Sequence, residues 1–135
     1  MSRRLASLLR RDERGAAVIE MAFALPALII LIWGIVQLGM MFRAIAGIQH
    51  SLGEGARLAT IWPQPSDDAI EARMEEVVYG IEPGTFTIQP PEAGLSDAGE
   101  AYLDLKVTYT QPTNLLLLPG PTITLSREKR VWVAE

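Results

Sequence analysis

The sequence predicts an α+β protein: a long N-terminal helix, packed together with a short second helix on a small antiparallel sheet of about three strands. Three observations predict this. The 22 residues from Met21 to Phe42 carry no charge. Apolar residues then recur at steps of three and four as far as Ala59, which is a helical period. The second half of the chain contains segments in which apolar and polar residues alternate, the period of a half-buried strand.

Length and composition limit the chemistry. The 135 residues suffice for one domain at most. Twelve basic against sixteen acidic residues give a formal charge of −4, which argues against a nucleic-acid partner. Cysteine is absent, so disulfides, thiolate metal sites and cysteine nucleophiles are excluded. The one histidine, His50, cannot form a histidine metal pair and lies just past the apolar run, as a surface or juncture residue. No glycine-rich phosphate loop follows a strand. The sequence therefore predicts no enzyme, no cofactor, no metal and no small-molecule substrate.

The first element is the apolar run. At about 1.5 Å per helical residue its 22 residues span roughly 33 Å, enough to cross a bilayer core of about 30 Å. A soluble core helix of this length would show a polar stripe, and Gln37 is the only strongly polar side chain. Residues 1–15 carry five arginines and two acids, +3, whereas residues 16–135 carry −7. This asymmetry places the N-terminus in the cytoplasm and the C-terminal part outside, which in a bacterium is the periplasm. A secretory signal peptide has a shorter apolar region ending in a small-x-small cleavage site. Here Met41-Phe42-Arg43 closes the run, so the segment should stay with the protein. The predicted organisation is a basic leader at 1–15, a transmembrane helix at 16–42 and a periplasmic α+β domain at 43–135.

The N-terminal edge of the run has its own pattern. Gly15 is followed by Ala16-Ala17-Val18-Ile19, then Glu20, then Met21-Ala22-Phe23-Ala24-Leu25-Pro26. A carboxylate at the mouth of a membrane helix is costly and marks a partner or a function unless it is solvated among the headgroups. Pro26 lacks an N–H and crowds the carbonyl four residues back, which predicts a kink near Ala22–Pro26.

This arrangement, a basic leader, glycine, four residues and glutamate, resembles the processing motif of type IV-like prepilins. Together with Leu25-Pro26, Gly34-Ile35-Val36-Gln37-Leu38-Gly39 and Glu54-Gly55-Ala56-Arg57-Leu58-Ala59, it resembles the TadE-like family, pseudopilins or minor pilin-like proteins of tight-adherence (Flp) pilus systems. The resemblance implies that an aspartic prepilin peptidase cuts between Gly15 and Ala16, making Glu20 the fifth residue of the mature chain. The new ammonium and the Glu20 carboxylate would then pair between subunits in the membrane. It further implies an inner-membrane protein with other pilin or pseudopilin subunits and the pilus assembly platform as partners, incorporated in a type IVb-like pilus that it helps to assemble, initiate or cap. Met21 stands where major pilins of this system carry tyrosine, and the 120-residue mature length exceeds theirs, so the resemblance is to a minor subunit. Gln37 replaces a more usual glutamate. The alternative is an uncleaved, membrane-anchored periplasmic binding or scaffold module.

Past the membrane, Ile45, Ile48, Leu52, Gly55 or Ala56, and Ala59 form one apolar stripe, with Glu54 and Arg57 as a helix-spaced pair off it. Trp62-Pro63-Gln64-Pro65 breaks the helix. Asp68-x-x-Glu71 reads as a capping box for a second helix whose buried face is Ile70, Met74, Val77, Val78 and Ile81, with Gly80 as terminator. Thr85 to Ile88 alternates briefly, 90–99 reads as a loop, and Leu103, Leu105, Val107 and Tyr109 mark a half-buried strand. Residues 112–121 read as a connection whose Leu115–Leu118 run belongs to the core rather than to a subunit contact, and 122–133 as a last strand.

Overall fold

A computed structural model of the chain describes residues 13–116 and 118–133, so most of the basic leader lies outside the described residues. The elements are helix α1 (Glu13–Ala59), helix α2 (Asp67–Val77) and strands β1 (Thr85–Leu95), β2 (Ala101–Leu115) and β3 (Leu118–Trp132). The fold is α+β, as the sequence predicts: a long apolar helix, a short helix and an antiparallel three-stranded sheet ordered β1-β2-β3. The chain divides into two compact units at Val36/Gln37. The first holds the apolar start of α1. The second holds the rest of α1, α2 and the sheet.

In the second unit the core lies between one face of α1, α2 and one face of the sheet. Ala44, Ile48, Leu52, Ala56 and Ala59 of α1 meet Ile70 and Met74 of α2, Leu103, Leu105, Val107 and Tyr109 of β2, and Val131 of β3. The helical stripe therefore starts at Ala44 and not at Ile45, which is only half-buried. Small residues decide the phase, because they let α1 approach its neighbours closely. Gly55 lies against the Met74 side chain and Leu105, and Gly47 against the backbone of Tyr79. The buried Ser51 hydroxyl donates to the Met74 carbonyl at 2.8 Å, which ties α1 to the last turn of α2.

Helix α2 starts differently from the sequence expectation. Ser66, extended at φ −67° and ψ 155°, is the N-cap, and its hydroxyl accepts the Ala69 N–H at 3.3 Å. Asp67 and Asp68 occupy the first turn, where the helix dipole favours anions. The helix also ends earlier, at Val77. Val78 is extended, and Ile81 reaches the core from the following segment. Gly80 (φ 69°) thus lies beyond the helix, seated on the Arg43 side chain.

The sheet is larger than the alternation suggests. Residues 90–95 continue β1 and are not a loop, with the ladder shifting register between Gln89 and Glu92. Pro90 and Pro91 fall within that irregularity, on an edge strand where a missing N–H costs no ladder bond. Residues 112–121 are likewise not an open connection: β2 and β3 run into a hairpin closing at Leu115↔Leu118. Beyond Thr110, β2 has lost β1 as a neighbour, so Pro112 sits where one side of the strand is open. The core assignment fails for two of the four leucines. Leu116 and Leu118 are 47% and 65% exposed, and Leu117 lies outside the described residues.

Candidate processing and assembly site

Gly15, Ala16, Glu20 and Pro26 all lie on α1 in the first unit. Ala16 and Glu20 are four apart, hence on one face of the helix and one turn from each other. Glu20 is exposed, and among the described side chains none pairs with it. Every residue from Ala16 to Ile32 is exposed, including Val18, Ile19, Phe23 and Leu31 at 60% or more. Water does not tolerate a helix that is apolar on all sides, whereas lipid or neighbouring apolar helices would cover it. The helix is a candidate membrane span by length and composition. α1 is continuous through Pro26.

One residue acquires a role that the sequence did not reveal. Gln37, the lone amide of the apolar run, is buried and grips both backbone groups of Asn114. The Asn114 N–H donates to Gln37 Oε1 at 3.0 Å, and Gln37 Nε2 donates to the Asn114 carbonyl. An isolated polar side chain in an apolar helix was the available signal, since such a group needs a partner. Its partner, 77 residues away, has no sequence signature.

Among the described residues, ion pairs of the second unit form three sets, one of them the pair Lys106–Glu92 at 2.6 Å. Glu54 lies 3.0 Å from Arg57 and 3.2 Å from Arg73, which also meets Glu76 at 2.8 Å, so α1 and α2 share one network. Hydrogen bonds from Arg57 and Arg73 hold the Glu54 carboxyl below its usual range. On the outer face of the sheet, Arg130 grips the largely buried Asp104 through two bonds of 2.8 and 2.7 Å and stacks 3.8 Å over the Tyr102 ring. The Arg130 bonds hold the Asp104 carboxyl below its usual range and push the guanidinium up. A lowered folded-state value means that this contribution to stability is complete above the unfolded carboxyl's titration near pH 4, and is lost as pH falls through the lower folded value. Asp104→Asn should accordingly flatten the acid limb of the stability–pH curve. Thermal unfolding of the detergent-solubilised full chain between neutral and acid pH measures this, and an unchanged acid limb would remove Asp104 from the explanation.

His50 is exposed, with its ring 5.8 Å from that of Tyr79. A surface cleft of about 340 Å³ is lined by Gln64, Leu95, Tyr102 and Val133 among others, and it brings together no acid–base pair.

The TadE-like protein family model matches residues 15–57, so over that stretch the chain is similar to that family, in agreement with the sequence resemblance. The matched stretch begins at Gly15, takes in Ala16, Glu20, Pro26 and Gln37, and ends at Arg57, before α2. No curated protein and no solved structure matches the chain.

Proposed function

We propose that the chain is a pilin-like minor subunit, a pseudopilin, that serves assembly, initiation or capping of a tight-adherence pilus. In this reading a prepilin peptidase removes residues 1–15. Residues 16–42 cross the inner membrane once, with the N-terminus cytoplasmic and the domain at 43–135 periplasmic. Glu20 pairs with the Ala16 ammonium of another pilin or pseudopilin subunit on the assembly platform, and Pro26 bends the helix there. One observation carries the reading: Gly15 and Glu20, in prepilin order, open a helix that exposes apolar side chains all round from Ala16 to Ile32, with only the Glu20 carboxylate among them. Such a surface is suited to a sequence of two environments, lipid before assembly and neighbouring helices after it.

The competing reading, an uncleaved anchored module, draws on the helical conformation of Gly15 within α1. A peptidase acts on extended backbone, so cleavage requires this first turn to open. Glycine favours that, because its backbone entropy makes it a poor helix residue, by about 1 kcal/mol relative to alanine.

The mature N-terminus tests the proposal. In cells with an active pilus system, the intact mass of the membrane-extracted protein should correspond to a chain starting at Ala16. Gly15→Val should leave the full-length form dominant, because a branched side chain obstructs the backbone's approach to the peptidase. A native protein that retains residues 1–15 would support the anchored module instead.

A further inference from the structure

The 19 residues from Thr108 to Ser126 carry no charge, and at their centre stand four leucines flanked by Pro112, Pro119 and Pro121. Its described residues form the β2–β3 hairpin, whose ladder closes at Leu115↔Leu118, with Leu116 at the tip. Gln37 clamps the tip through Asn114, so it lies beside a helix residue inside the uncharged run that ends at Phe42. Gln37 is five residues before Phe42, a rise of about 7.5 Å. Around the clamp, Leu38 and Phe42 of the helix and Leu116 and Leu118 of the hairpin are all exposed.

We infer that the hairpin tip dips into the membrane leaflet on the side of the C-terminal unit, with Leu116 and Leu118 among the lipid chains. The inference rests on the reading of the apolar run as a membrane span and adds a second point of lipid contact to it.

Two details favour lipid over water. Leu116 has φ 62°, a left-handed conformation in which a Cβ is strained and which glycine or asparagine adopts readily. A leucine there gives up backbone ease for an apolar side chain at the extreme tip, and an exposed leucine gains nothing from water. The tip is also poor in free backbone donors. Pro112, Pro119 and Pro121 have no N–H, and the Asn114 N–H and C=O are both taken by Gln37. In water such groups are solvated without cost, whereas near hydrocarbon each unpaired one is expensive. The Thr113 hydroxyl turns inward as well, donating to the Pro121 carbonyl at 2.6 Å.

The native chain has no cysteine, so single nitroxide labels are unambiguous. Leu116→Cys and Leu118→Cys, with Leu31→Cys in the span and Asp97→Cys on the exposed β1–β2 turn as references, would be labelled in the full chain. The host is a phosphatidylcholine–phosphatidylglycerol nanodisc holding one chain. Collision rates with oxygen, which concentrates in lipid, and with a water-soluble nickel chelate give the depth of each label. At 116 and 118 we expect high oxygen and low chelate accessibility, as at Leu31 and opposite to Asp97. Chelate accessibility equal to that at Asp97, with Leu31 still in lipid, overturns the inference and leaves the span intact. Shielding from both reagents overturns it in favour of a protein covering. A water-exposed Leu31 overturns the span and the inference together.

Discussion

Gly47→Ala is expected to destabilise the C-terminal unit by about 3 kcal/mol, the upper end of what overpacking usually costs. A Cβ at Gly47 would lie 1.8 Å from the Tyr79 carbonyl oxygen and 2.8 Å from its carbon. These are backbone atoms, and their segment is held on both sides. The preceding Val78 N–H is bonded to the Met74 carbonyl at 3.2 Å, and that carbonyl also accepts from Ser51 of α1. The following Gly80 sits on Arg43, again of α1. Relief therefore requires the post-α2 segment to leave the helix, and Ile81 would be drawn from the core with it. The internal control is Gly53→Ala on the same helix. A Cβ there meets nothing within 4 Å, so the substitution should stabilise by up to about 1 kcal/mol through helix propensity alone. Denaturant titration of both variants in the same detergent reads the difference. Equal midpoints would mean that the α1–Tyr79 contact does not bear on stability.

The parts of this fold that were legible in sequence are those whose period is local. The uncharged run announced α1, and Leu103-x-Leu105-x-Val107-x-Tyr109 announced the central strand, because each pattern repeats within a few residues. What was not legible depends on partners remote in sequence. The residues from Pro90 onward resemble a loop since proline cannot serve a ladder from both sides, yet at the sheet edge only one side is needed. The Leu115–Leu118 run resembles core because leucine usually is, and only the pairing of Asn114 with Pro119 and the grip of Gln37 set Leu116 and Leu118 at an exposed hairpin end. The spacing of Asp68 and Glu71 resembles a capping box, yet the extended Ser66 holds the cap, because its hydroxyl reaches the Ala69 N–H. At the candidate site the order of Gly15, Ala16 and Glu20 is local to a single stretch of chain, so the pattern itself is readable from the sequence.

Glu20→Ala should leave a cleaved and inserted protein that supports few pili. The carboxylate is exposed on α1 in a surround of apolar side chains, and it makes no described contribution to the packed unit, which starts at Gln37. Folding and cleavage should therefore be insensitive to its loss. Assembly should not be. A charge inside a bilayer costs roughly 2.5–3.5 kcal/mol at the centre and less towards the interface, so an unpartnered Glu20 stays at the headgroup level. An ammonium on a neighbouring subunit would offset that cost, and with a low local dielectric the pair is far stronger than in water. Removing one partner of such a pair leaves the other charge uncompensated, at about 3–5 kcal/mol, which corresponds to a loss of at least about a hundredfold in subunit affinity. Glu20→Asp keeps the charge with a shorter reach and should retain part of the piliation. If the carboxylate were merely solvated among headgroups, both variants would piliate fully. Counts of surface pili, normalised to the level of mature protein, separate the two cases. Normal piliation with Glu20→Ala would leave the carboxylate without a role in assembly, and the apolar helix would then serve as an anchor for the domain beyond it rather than as the surface on which subunits stack.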